Sequence, residues 1–177
     1  MALKPQDVLV VLKWALHPRE RWTFPALSAA LGIPIGGVHA SVQRALQARL
    51  LARTGEEPAV LVLARENLLE FLIHGVKYSF PVERGAVTRG VPTAHAAPVL
   101  KRHFAATEGL PPVWPDPKGK LRGETFQPLY KAAVRAAADD DALYAALALI
   151  DAIRGGSARE RTLATKLLSK QILGTSA

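Results

Sequence analysis

The sequence predicts a mainly α protein with one small β-hairpin, and three observations carry that prediction. Apolar residues recur at helical spacing near both ends of the chain, and a turn at Thr54-Gly55 separates two short strand-like runs. Hydrophobic residues at 49% against charged residues at 21% give the chain enough apolar surface to fold around a core. A length of 177 residues suits one compact domain, or a small domain with a substantial extension, and excludes a large multidomain enzyme. The chain has no cysteine, which removes disulfides, thiol nucleophiles and cysteine-ligated zinc or iron–sulfur sites together.

The elements follow in order. Val8, Val11, Leu12, Ala15 and Leu16 share one face of a first helix that opens after Pro5. A second helix starts at Trp22-Thr23-Phe24-Pro25-Ala26-Leu27, where Thr23 caps, Pro25 sits in the first turn and Trp22 staples onto Leu27. Leu27, Ala30 and Leu31 face inward, and Gly32 ends the helix as a left-handed cap. A third helix begins near Pro34 or Ile35 and buries Val38, Val42 and Leu46. Leu50 to Arg53, Thr54 to Pro58 and Ala59 to Leu63 then read as strand, turn and strand.

A helix from about Glu66, with Leu69, Leu72, Ile73 and Val76 as its stripe, ends before Phe80-Pro81. Eight of the thirteen prolines lie between Pro81 and Pro128, so long helices and central strands are not expected there. Val99, Leu100, Phe104, Val113, Trp114, Leu121, Phe126, Leu129 and Tyr130 are nevertheless too much apolar material for a solvated linker. The expectation is an ordered, irregular arm packed on helices. Asp139-Asp140-Asp141 opens a further helix with Leu143, Leu147 and Ile150 inward, and Gly155-Gly156 breaks it. Ser157-Ala158-Arg159-Glu160 is a capping-box sequence for a last helix carrying Leu163, Ala164, Leu167 and Leu168.

Helix, helix, a tight turn at Leu31-Gly32-Ile33, helix and a two-stranded hairpin occur in the order of one known module. The segment from Trp22 to Ile33 resembles the support helix and turn of the winged-helix DNA-binding domain in bacterial MarR-like regulators, and Val38 to Leu51 resembles their recognition helix running into the wing. The resemblance covers roughly residues 5–65. It implies an N-terminal winged helix-turn-helix over residues 1–65, followed over residues 66–177 by a linker helix, the Pro-rich arm and a C-terminal helical hairpin for dimerisation or partner binding. It also implies sequence-specific binding of double-stranded DNA and transcriptional regulation, with a homodimer supplying paired half-sites.

A helix enters the major groove with its outward residues on base edges. The outward positions expected here are Ile35, Gly36, Gly37, His39, Ala40, Gln43 and Arg44. His39, Ala40, Gln43 and Arg44 are the base-reading candidates, Gln43 toward adenine and Arg44 toward guanine or a phosphate. Gly36, Gly37, Arg49, Arg53 and Arg21 are the principal backbone candidates, with Lys4, Lys13 and Arg19 as further cations. The two glycines lower helix propensity by roughly 1 kcal/mol each, and close approach to DNA is one reason to have them. An acidic tip, Thr54 to Pro58, disfavours deep insertion between phosphates.

The formal net charge of +8 fits a polyanionic partner, and residues 1–65 are the most basic third, with eight Lys and Arg against four Asp and Glu. No His pair has metalloprotease spacing, and no G-x-S-x-G elbow or phosphate-binding glycine loop occurs. Thr93 and His95 read as a hydrogen-bonded loop rather than as nucleophile and base. The three aspartates read as charges at a helix start rather than as magnesium ligands. Catalytic residues, metal and cofactor are therefore all assigned as none, and the chain is not read as an enzyme. Lys118 to Gly123 is a basic turn, either solvated or touching a second nucleic-acid backbone site. Arg154, Arg159 and Arg161 around Gly155-Gly156 form a candidate anion or partner site, against which stands the capping box with solvated arginines. Charges or prolines interrupt each apolar stretch, so a cytoplasmic protein without a membrane segment is expected. The alternatives to a DNA-binding regulator are a protein-binding module whose 81–130 arm wraps a partner, such as an antitoxin or the regulator of a co-expressed effector, and a small enzyme using the Thr93–His95 or Arg159 region.

Overall fold

The computed structural model describes residues 2–55, 60–104 and 109–174. It is mainly helical, with two small sheets. Helix α1 (Pro5–Leu16) is its axis. Val8, Leu9, Val10, Val11, Leu12 and Ala15 are all buried, so the helix is covered on every side rather than on one face. One hydrophobic cluster joins α1 to residues from Leu27 through Ile172, crossing position 65 without a break.

Thr23 caps α2 (Phe24–Leu31), its Oγ1 accepting the Ala26 N–H at 3.2 Å, and Pro25 lies in the first turn. Gly32 ends the helix with φ +64°, in the left-handed region that glycine occupies without a Cβ clash. Leu27 and Leu31 are buried, whereas Ala30 is exposed because it turns away from α1. Helix α3 (Ile35–Gln47) follows at a bend of 109° from α2. Val38, Ser41, Val42, Arg44 and Ala45 form its buried side, and Leu46 is half-buried at the edge. Strands β1 (Leu51–Thr54) and β2 (Val60–Leu63) pair antiparallel, Leu51 opposite Leu63 and Thr54 opposite Val60. The acidic tip beyond Gly55 lies outside the described residues.

The helix expected from Glu66 is α4 (Arg65–Glu70), a π turn (Phe71–Gly75) and α5 (Val76–Ser79) in series. The π turn adds a residue where a Cβ on Gly75 would sit 2.8 Å from the Phe71 ring, so a larger residue would force that ring aside. Arg65 clamps the two ends of the molecule together by donating to the carbonyls of Ala15 and Ile172.

The arm departs from its expected irregular form. It holds β3 (Arg84–Pro92), a 3₁₀ turn (Ala94–Ala96), α6 (Pro98–Lys101), β4 (Pro112–Pro115) and β5 (Leu121–Phe126). The three strands close on themselves: β3 runs antiparallel to both β4 and β5, which pair in parallel. Backbone and the buried Val113 side chain pack tightly where these strands meet. A Cβ on Gly90 would lie 2.0 Å from the Trp114 carbonyl oxygen, and one on Gly123 would lie 2.0 Å from that of Pro111. Prolines fit because they stand at strand ends, Pro92 closing β3 and Pro112 and Pro115 bounding β4. Val113, Trp114, Phe126 and Leu129 are buried, as their apolar character requires.

After α7 (Ala133–Ala137), α8 (Asp141–Gly155) and α9 (Ala158–Leu173) form the terminal hairpin. Asp140 caps α8, its Oδ1 accepting the Leu143 N–H at 2.9 Å. Ser157 and Glu160 make the reciprocal capping box of α9. Among the described residues no single helix is long and apolar enough to cross a membrane.

Candidate nucleic-acid interface

Helix α3 presents two very different sides. Toward α1, Gln6 Nε2 donates to the Gly37 carbonyl at 3.0 Å and to Ser41 Oγ at 2.9 Å, which fixes the start of α3 on the start of α1. Gly37 is needed for this packing, since a Cβ there would meet Ile33 at 3.0 Å and Gln6 at 3.3 Å. Its role as a DNA-approach glycine is thus corrected to an internal one, while Gly36 opens onto free space.

Arg44 does not face outward. Its Nε donates to Asp7 Oδ2 and its Nη2 to Asp7 Oδ1, both at 2.7 Å, in a bidentate pair buried between α3 and α1. Asp7 is 0% exposed and also accepts the Lys4 N–H at 2.7 Å, so the carboxylate keeps three donors in place of water. The Asp7 hydrogen bond pushes the Arg44 guanidinium still further above its usual value, and burial acts against it. Arg44 is therefore removed from the base-reading set, because position 44 lies on the Ser41–Ala45 side that α1 covers.

On the outer side, Ile35, Gly36 and His39 are exposed, and Ala40 and Gln43 are half-buried. His39 stands edge-on to Phe24 with ring centroids 5.5 Å apart, which orients the imidazole from α2. Arg21, Arg49 and Arg53 are exposed, on the α1–α2 connection, at the α3 end and on β1. Arg49 adopts φ +58°, where its carbonyl accepts from Asn67 Nδ2 at 2.8 Å and the chain reverses into β1.

Lys13 is corrected in the same way as Arg44. Its Nζ lies 2.6 Å from Asp140 Oδ2, which His17 Nε2 also approaches at 2.8 Å, and it sits 5.3 Å from the Trp22 ring centroid. Burial alone would raise the Asp140 carboxyl, but the hydrogen bonds from Lys13, the Leu143 N–H and His17 outweigh it and hold the group below the usual carboxylate range. The stabilisation is then fully present above the ordinary aspartate value of about 3.9 and is lost as pH falls through the lower folded value. Denaturant melts should show the gap between the parent and Asp140→Asn shrinking as pH falls below about 4; a gap that does not change with pH would contradict this pairing.

The proposed anion cluster also divides. Arg154 is satisfied inside the protein: Nη1 pairs with Asp151 Oδ1 at 2.7 Å, Nε donates to the Phe80 carbonyl at 2.9 Å and Nη2 to that of Pro81 at 3.3 Å. It lies on the last turn of α8 and is corrected to a strut between helix and arm. Arg161 donates to the Gly156 carbonyl at 2.8 Å, and Arg159 lies 5.5 Å from the Phe104 ring centroid. Thr93 and His95 find side-chain partners rather than backbone ones, Thr93 Oγ1 donating to Asp151 Oδ2 at 2.8 Å and His95 Nδ1 lying 3.4 Å from Glu160.

Asp151 was not singled out from the sequence, yet it gathers three parts of the fold. Trp114 Nε1 donates to the same oxygen as Thr93 at 2.6 Å, which joins β4 and the β3–3₁₀ junction to α8. Burial pushes the Asp151 carboxyl up, against the opposing pull of Arg154, Thr93 and Trp114. The i, i+3 spacing of Asp151 and Arg154 on one helix was the available signal.

Compared with protein-family models, curated proteins and solved structures, the chain matches none of them.

Proposed function

We propose that the protein is a transcriptional regulator that binds duplex DNA through α2, the 32–34 turn and α3, and that it acts as a homodimer. In this reading α3 is the recognition helix and the β1–β2 hairpin is the wing of a MarR-like winged helix. One observation carries it: α3 leaves α2 at 109° after a three-residue connection, and Ile35, Gly36 and His39 on the side away from α1 are exposed, as are Arg21, Arg49 and Arg53 on the neighbouring connection, helix end and strand. With Arg44 committed to Asp7, the base-reading set is His39, Ala40 and Gln43, and the arginines hold phosphates.

Selection from random duplexes at near-physiological salt tests the reading by asking for a preferred sequence. Gln43→Ala should leave folding within about 0.5 kcal/mol of the parent. It should weaken the selected duplex by about 1–3 kcal/mol and relax preference at one position per half-site. If a folded His39→Ala/Gln43→Ala variant bound the selected duplex as tightly as the parent, α3 would not be the reading head.

A second reading has its own observation. Val60 and Val62 are 63% and 42% exposed on one face of the hairpin, beside Ala52 and Thr54 on the paired strand. That apolar face suits a protein partner better than a phosphate backbone. Replacing both valines with threonine separates the two: loss of self-association or partner capture with DNA affinity intact assigns the hairpin to protein contact.

A further inference from the structure

We propose that the outward face of β3 and β5, with the 116–120 turn between β4 and β5, is a second duplex-DNA contact that grips phosphates without reading sequence. This rests on the DNA-binding reading above and adds a site to it. Arg89 and Arg122 are register partners on antiparallel strands, so their side chains leave the same side of the sheet. Like charges directly opposite one another are unfavourable in an isolated sheet. Lys118 and Lys120 stand in the turn beside them, and all four cations are exposed. None of the four has an ion-pair partner among the described residues.

Two acids close by in sequence are already engaged. Glu124 pairs with Arg84 at 2.7 Å, and Asp116 Oδ1 accepts the Lys118 backbone N–H at 2.8 Å. The turn is also held firmly. The Asp116 N–H donates to the Arg89 carbonyl at 3.1 Å, and a Cβ on Gly119 would lie 2.3 Å from the Gly90 backbone. Lys118 and Lys120 are thereby presented next to the two arginines by packed backbone rather than by a loose tail. Such an array is pre-organised for an extended polyanion, with arginine forks suited to phosphate oxygens. Residues 84–91 and 116–123 contain no aromatic side chain on which an unpaired base would stack, which favours a duplex over a single strand.

The test is a salt titration of the full chain and its R89Q/K118Q/K120Q/R122Q variant against the selected duplex and a random one. Four lost phosphate contacts should make the slope of log affinity against log salt shallower by roughly 3.6 and weaken both duplexes by the same factor, about tenfold or more. Thermal melting should stay at or above the parent, since the variant removes only exposed charges and one like-charge pair. An unchanged slope and affinity in the folded variant, with Gln43→Ala still weakening the selected duplex, would overturn the second contact and leave the α3 reading standing. The reverse pattern supports the β-face contact and removes α3. A parent that binds no duplex overturns both, and charge-dependent binding to phosphatidylserine vesicles with DNA binding unaltered would reassign the face to a membrane surface.

Discussion

Arg44→Ala should cost about 3–5 kcal/mol of folding stability, a large share of the total for a domain of this size. The substitution removes both guanidinium bonds from Asp7 and leaves a carboxylate with 0% exposure, with the Lys4 N–H as its remaining donor. The loss should appear as a lower denaturant midpoint. Arg44→Lys should recover part of it, because a single ammonium replaces one of two parallel bonds. Replacing the pair together, as D7L/R44M, should fall near the parent or above it, since neither charge is then left without its partner. That double variant also decides what Arg44 does for function. A stable D7L/R44M protein that binds the selected duplex normally would place Arg44 wholly in the scaffold, and an Arg44→Ala melt that matches the parent would refute the buried pair itself.

Local signals were readable in the sequence wherever one turn of chain decided the outcome. The Thr23 cap, left-handed Gly32 and the Ser157–Glu160 box need no knowledge of distant residues, and each stands where the spacing placed it. Arg44 could not be assigned that way, because position 44 borders the Val38–Val42 stripe and its environment depends on α1. The clue lay 37 residues upstream: Asp7 stands beside Val8, Leu9, Val10 and Val11 in a helix that proves buried all round, and a carboxylate there requires a cation. The β3–β5 unit was hidden for a different reason. Period-two alternation arises when side chains fill the inside of a sheet, but here Gly90, Gly119 and Gly123 stand where neighbouring backbone approaches too closely for a Cβ. The same glycines and prolines that argued against central strands allow three short strands to close on one another. His39 and Gln43 needed only the helical period to be placed on the outer side of α3, where His39 is exposed and Gln43 half-buried.

Asp151→Ala should be comparably damaging to Arg44→Ala, at about 3–5 kcal/mol, because it leaves a buried guanidinium without its counter-charge. Arg154 is 4% exposed at its side chain, and the Trp114 indole and Thr93 hydroxyl would lose their common acceptor in the same step. Asp151→Asn keeps the shape and one acceptor oxygen but removes the charge, so its cost should be smaller, about 1–3 kcal/mol. The location of the damage distinguishes this prediction from general destabilisation. Asp151 joins α8 to Thr93 and Trp114, while the α1–α3 contacts depend on Asp7, Gln6 and the apolar cluster. Hydrogen exchange on Asp151→Asn should therefore speed up in β3, β4 and β5 before it does in α1 and α3. Sequence preference, which α3 carries in the proposed reading, should survive at temperatures where the salt-dependent contact of Arg89 and Arg122 is already weakened. Uniform acceleration across both regions would show that the chain opens as a single unit, and that Asp151 stabilises the whole core rather than the seat of the β-unit.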